Sequence, residues 1–352
     1  LAYVFNPKKI NFSLVRKVKE FEKALERKDC EAVLEYLDDY LEEIEKEEEL
    51  RELLRRLEDL ALECEDELAY ELAHEIAHIY AHLDEVEKGI EVYKKIAEKY
   101  RENEEKYSEA LYYLADAYEH FGLPEKAIEV YEKLLELERK REDKKEEALT
   151  LAHMAINYEE LGDLEKAIEL MNKARELFEE LGDEKNYLIS LIDLAHFYYE
   201  KGEDKKAEEL VKEVLKTPRD TDIEINARLV EAEIYAGRED YKNAFKSLSL
   251  ALVKAEESEE LFEFAFDTLI EFVEDLFKEK LYREVYENID VLVNAFEEDE
   301  ELKDFFMAIR ELAKMKEGIE NKFEEVYSKI SNESLREILE DLKSPTFLNI
   351  EI

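Results

Sequence analysis

The sequence predicts an all-α protein, assembled as a stack of antiparallel helix pairs. Three observations lead there. Only 7 Gly and 4 Pro occur in 352 residues, which leaves little material for hairpins or structureless loops. Apolar residues recur at helical spacing, as in Leu111, Leu114 and Tyr118 and then Ile128, Tyr131, Leu134 and Leu135. A set of landmark residues returns at a nearly constant interval, the mark of a repeat architecture.

The landmarks are a tyrosine flanked by small residues. Tyr80, Tyr118, Tyr158, Tyr198 and Tyr235 follow one another at steps of 38, 40, 40 and 37 residues. Three residues before each stands an alanine: Ala77, Ala115, Ala155, Ala195 and Ala232. Four residues after come Asp84, Gly122, Gly162 and Gly202, and nine after come Gly89, Ala127, Ala167, Ala207 and Ala244. Small residues on two facing helices let the backbones approach, the tyrosine fills the space between neighbouring units, and a left-handed residue ends the first helix of each pair.

The strings LADAYEHFGLPEKAIEVYEKLL (114–135), MAINYEELGDLEKAIELMNKA (154–174) and LAHFYYEKGEDKKAEELVKEV (194–214) resemble tetratricopeptide repeats. The resemblance implies a right-handed α-α superhelix, a TPR-like solenoid. The interval exceeds the usual repeat and is similar to a long-repeat subclass of about 40 residues, represented by kinesin light chains and some bacterial transcriptional activators. The expected organisation is N-terminal helices forming a degenerate or capping repeat over 1–65, five repeats over 66–257, degenerate helical repeats with a C-terminal cap over 258–343, and a tail over 344–352. Amphipathic stretches at 13–27, 30–46 and 48–64 lack the glycine landmark. Degenerate end units are expected, because one face of a terminal repeat meets water. Pro345 should stop the last helix. The mostly apolar tail after it is expected to lie on that helix, and the opening segment around Tyr3, Phe5 and Phe12 to cover the first.

The chain carries 51 basic and 96 acidic residues, a formal net charge of −45. Such a field repels nucleic-acid backbones and anionic membranes, so neither is an expected partner. A solvated acidic surface accounts for most of it. Abundant Glu and Lys with no Gln at all suggests a hyperthermophilic, archaeal source. The two cysteines, Cys30 and Cys64, fall within apolar helical patterns and read as free, small hydrophobes in a reducing cytoplasm.

One string invites a chemical reading. His74-Glu75-Ile76-Ala77-His78, followed by His82, matches the HExxH pattern of zinc hydrolases, in which two histidines one helical turn apart bind metal and the glutamate polarises water. The repeat frame opposes it. Ala77 and Tyr80 are landmarks of the same helix, and His74, His78 and His82 on one straight helix span about 12 Å at 1.5 Å per residue. The expectation is therefore no enzyme, no cofactor and no metal.

What the resemblance does imply is a binding face on the first helix of each pair. Counted from the landmark tyrosine, its candidates are His78, Tyr112, Asp116, His120, Ile156, Ile189, Ile192, His196, Tyr199 and Leu229. The absence of Lys and Arg at the inward positions excludes the carboxylate-clamp members of that family. An apolar stripe with acidic rims suits another protein or peptide bearing apolar anchors and basic flanks. The expected function is thus a protein-interaction scaffold. A self-associating regulatory or ligand-sensing module is the alternative.

Overall fold

The computed structural model describes residues 12–344 apart from 45, 66 and 217–219. The opening and tail segments discussed above lie outside the described residues, save for Phe12 and Ser344. Every regular element among the described residues is a helix, and the helices are paired antiparallel. The chain divides into two compact units, Leu1–Leu177 and Phe178–Ile352.

The first unit holds α1 (Phe12–Arg27), α2 (Cys30–Leu41), α3 (Glu47–Glu63), α4 (Glu67–His82), α5 (Val86–Tyr100), α6 (Glu104–His120), α7 (Pro124–Arg141), α8 (Lys144–Glu160) and the start of α9 (Leu164–Leu181). Its first-of-pair helices α6 and α8 are capped by Asn103 and Asp143, whose side chains accept from the backbone N–H of Lys106 and Glu146. The landmark tyrosines have a second, backbone role. The carbonyl of Tyr80 accepts from the N–H of Glu85, that of Tyr118 from Leu123 and that of Tyr158 from Asp163, at 2.8–2.9 Å. These are the long bonds of a Schellman C-cap, and they require the intervening residue to be left-handed. Gly122 and Gly162 take that conformation at φ 64° and 77°, and Asp84 takes it at φ 56° in spite of its side chain.

The small residues are where the repeat frame puts them. Ala77, Ala115 and Ala155 are fully buried, as are Ala127 and Ala167. At Gly89 the approach is tightest: a Cβ there would stand 2.5 Å from Ala77 Cα. The ring of Tyr118 lies between Lys94 of α5 and Lys126 of α7, their ammonium groups 5.9 and 5.7 Å from its centre. It fills the joint between successive pairs.

The cysteines correct the sequence reading. Cys30 and Cys64 form a disulfide, with Cα atoms 6.1 Å apart, joining the start of α2 to the end of α3. Neither is the free hydrophobe expected from its apolar neighbourhood. The two α-helical ends come side by side because α2 and α3 run antiparallel, a proximity that a sequence separation of 34 does not advertise.

The second unit holds the rest of α9, then α10 (Glu184–Glu200), α11 (Asp204–Leu215), α12 (Thr221–Gly237), α13 (Tyr241–Ala255), α14 (Glu259–Lys278), α15 (Tyr282–Asn288), α16 (Asp290–Ala295), α17 (Glu300–Lys316), α18 (Phe323–Tyr327) and α19 (Glu333–Lys343). The tyrosine-carbonyl cap recurs at Tyr198 and Tyr235, with Gly202 and Glu239 left-handed. Beyond α13 the landmarks stop and aromatic packing takes over. Phe266 meets Phe305, Phe296 meets Phe306, and Phe305 and Phe306 touch each other, all within a continuous core that also includes Phe323 and Ile330.

Candidate functional site

In the first unit, α4 and α6 lie side by side. Together with residues of α2 and α5, they line two adjoining features. One is a hollow of about 430 Å³ with Tyr70, Tyr93 and Tyr113 among its lining residues and Asp38, Glu71, Glu75 and Asp116 around them. Tyr70 and Tyr113 stack at 4.1 Å between ring centres. No Lys or Arg contributes to its lining. Burial, with Asp38 next, pushes the Glu75 carboxyl above its usual range, and burial together with Glu119 does the same for Asp116.

The other feature is a knot of three imidazoles. His78 Nε2 lies 3.0 Å from His74 Nε2, one helical turn back on α4, and 3.1 Å from His120 Nε2 at the end of α6. Phe121 packs against His78 and His120, at 5.6 and 4.9 Å between ring centres. Burial, followed by the neighbouring imidazoles, lowers the proton affinity of His74 and His78. Read from the sequence, the third histidine of the row was His82, on α4 itself. The structure brings it instead from the next repeat. The available signal was the register: His78 sits two residues before one landmark tyrosine and His120 two residues after the next.

Deeper in this unit, a polar joint ties successive pairs together. Asn157 and Tyr131 donate to Glu119 Oε2 at 2.9 and 3.0 Å, with His153 at 3.5 Å. Against the cost of burial, these neighbours hold Glu119 below the usual carboxylate range. Tyr112 is half-buried with its ring edge-on to Tyr113 and His153, and Ile156 is 37% exposed. One more buried acid, Glu138, accepts from Thr150 at 2.8 Å, and burial pushes it up to about 7.

The second unit has its own hollow, about 440 Å³, with Tyr199, Leu229, Val230, Phe264 and Phe272 supplying apolar surface and Glu233, Glu271 and Asp275 supplying charge. Again neither Lys nor Arg lines it. Phe264 is 47% exposed there, an unusual position for so large an apolar ring. Tyr199 and Leu229 were expected on a binding face and both line this hollow. His196 lies beside it, its Nδ1 3.1 Å from Glu233 Oε2. Ile189 is half-buried against the cluster of Leu188, Leu191 and Val214. Ile192 belongs inside that cluster, 6% exposed, and is a core residue rather than part of a binding face. The helical count placed Ile192 on the open side, but α12 packs over it through Ile223 and Ala227.

The string around His74 is a repeat helix. Ala77 is spent on the contact with Gly89, and the described residues contain no strand along which a substrate backbone could align.

The molecule is thus an all-α repeat protein of antiparallel helix pairs. The tetratricopeptide repeat family matches residues 110–145 and 146–220, so this stretch of the chain consists of tetratricopeptide-like repeats. No curated protein matches it in sequence. Similar solved structures include BtubC (BKLC) from P. vanneervenii, with 16% identity, a TM-score of 0.48 and coverage of 70% of this chain and 92% of that one. A Rap protein complexed with competence and sporulation factor has 18% identity, a TM-score of 0.48 and coverage of 86% and 99%. The quorum sensor NprR from B. thuringiensis has 17% identity, a TM-score of 0.47 and coverage of 92% and 87%. Among the described residues, no helix is long and apolar enough to cross a membrane.

Proposed function

We propose that the chain is a protein-interaction scaffold that holds a peptide or helical segment of another protein on the first-of-pair helix faces. The observation that carries this reading is the hollow of the second unit: exposed Phe264 beside Leu229, with Glu233, Glu271 and Asp275 around them and no cation among the lining residues. An apolar side chain would anchor on Phe264 and Leu229, and Lys or Arg beside it would meet the acids. The tyrosine-lined, acid-rimmed hollow of the first unit has the same chemistry. From the earlier candidates, His78, Tyr112, Asp116, His120 and Ile156 remain for the first unit, and Ile189, His196, Tyr199 and Leu229 for the second.

The repeat interval of 37–40 residues favours the long-repeat subclass. Disulfides are uncommon in reducing cytosol except in hyperthermophiles, so the Cys30–Cys64 bond fits either an oxidising compartment or a hyperthermophile's cytoplasm. The Glu- and Lys-rich composition favours the second. So do ion-pair networks such as Arg51 with Glu47 and Glu85, and Arg238 with Asp204 and Glu208.

The test is selection of binders from a random peptide display library, followed by fluorescence anisotropy with the winning peptides. Selected sequences should place one or two apolar residues next to Lys or Arg. Phe264→Asp should weaken binding at least roughly tenfold while the circular dichroism spectrum is unchanged, because a hot-spot aromatic is worth about 2 kcal/mol or more. Acidic winners, or binding indifferent to both Phe264→Asp and Tyr112→Ala, would remove this reading.

A further inference from the structure

We propose that His74, His78 and His120 form a binding site for a single divalent transition-metal ion, with Zn²⁺ as its natural occupant.

The geometry is that of a metal site. Imidazole nitrogens bind Zn²⁺ at about 2.0–2.1 Å, so two nitrogens on one ion stand roughly 2.9 Å apart at a right angle and roughly 3.4 Å apart at the tetrahedral angle. The two Nε2 separations, 3.0 and 3.1 Å, fall within that window. One ring nitrogen from each of the three histidines lies within 4.8 Å of those of the other two. His74 and His78 are one turn apart on the same face of α4, the spacing at which helical histidines share an ion.

Hydrogen bonding alone serves this arrangement poorly. A neutral imidazole nitrogen carries either one proton or one in-plane lone pair. His78 Nε2 faces two other Nε2 atoms, so it can make one well-aligned hydrogen bond but not two. A cation at the centre takes a lone pair from each ring. The surroundings favour positive charge as well. The Asp116 carboxylate lies close enough to act electrostatically on both His74 and His120, and the chain as a whole carries a formal charge of −45. Three imidazoles select for the later first-row ions over Mg²⁺ and Ca²⁺, which prefer oxygen. His74 and His120 are exposed, so a fourth coordination position faces solvent. Because the ligands come from α4 and α6, the ion would clasp two successive repeats.

The experiment uses the untagged full chain, stripped of metal and titrated with ZnCl₂ and then CoCl₂ in millimolar MgCl₂. Calorimetry should give one equivalent of Zn²⁺, and Co²⁺ should develop the visible absorption of a low-symmetry nitrogen site. His74→Ala, His78→Ala and His120→Ala should each weaken Zn²⁺ binding by at least roughly tenfold. His82→Ala should leave it unchanged. Metal-free circular dichroism and melting of each variant separate ligand loss from misfolding, and His120→Asn provides a second, milder substitution at the position contributed by α6. The proposal is overturned if no equivalent of Zn²⁺ binds. It is also overturned if both His120 variants bind like the parent, which would leave only a two-histidine site on α4. Loss of binding on His196→Ala instead would place the ion beside Glu233 and overturn it too.

Discussion

The landmarked pairs and the helices after α13 solve the same problem by opposite means. In α4 and α5 or α6 and α7, helices are brought close by removing side chains: Ala77, Gly89, Ala115 and Ala127 are buried and nearly volumeless. From α14 onwards the helices are joined by large side chains, with Phe266, Phe296, Phe305 and Phe306 interlocked. The first solution can be copied along a chain, because a small residue fits against any neighbour of the same kind. The second is a one-off fit between particular rings. The comparison teaches why the repeat register ends where it does: an end unit must close a core rather than pass it on. At the other end, α1–α3 lack the landmarks too, and there a covalent bond between Cys30 and Cys64 ties the helices.

The comparison predicts that the aromatic core is the more fragile to truncation. Phe305 is fully buried and touches rings on both sides. Phe305→Ala should cost about 3–5 kcal/mol, the usual loss for a buried aromatic together with its cavity. Urea unfolding of the two proteins measures it. A loss under about 1 kcal/mol would mean that the rings are decoration and that the C-terminal helices are held otherwise.

Reducing the disulfide, or replacing Cys30 by Ser, should come next in size. Closing a loop of this length by a cross-link stabilises by roughly 4 kcal/mol in the chain-entropy account, and engineered removals scatter about 2–5 kcal/mol. Proteolysis should then open α1–α3 first, with cleavage mapped by mass spectrometry. Simultaneous loss of α6 and α7 would show that the cross-linked end and the landmarked pairs are one cooperative block.

What the sequence revealed follows the same division. Landmarks such as Tyr118, Gly122 and Ala127 are local, lie within a dozen residues and repeat, so the pairs could be read directly. The amphipathic stretches before α4 and after α13 could be read as helices for the same reason, since helical periodicity is local. Contacts between units of the repeat could not. The Cys30–Cys64 bond depends on how one helix lies against another, which no spacing within a helix encodes, and the meeting of His120 with His78 emerges only when the registers of two successive repeats are laid side by side. Ile192 shows the limit in the opposite direction. Its helical position resembles that of exposed members of the binding face, but the depth to which it is covered is decided by α12, a separate stretch of sequence.

The smallest expected effect tests the small-residue rule itself, at its tightest point. Gly89 stands where the other copies have Ala127, Ala167, Ala207 and Ala244. Gly89→Ala would ordinarily stabilise a helix interior by up to about 1 kcal/mol. Here the added carbon would stand 2.5 Å from Ala77 Cα and 2.8 Å from Ala77 Cβ, so α4 and α5 would have to separate. Overpacking of this kind costs about 1–3 kcal/mol, and the net change should be a loss of up to about 2 kcal/mol. The partner substitution discriminates between clash and propensity. Ala77→Gly removes the contact to Cβ but not the one to Cα, so the double variant should recover only part of what Gly89→Ala loses. A stabilised Gly89→Ala protein would mean that α4 and α5 yield freely. Their close approach would then be a consequence of having glycine there rather than the reason for it.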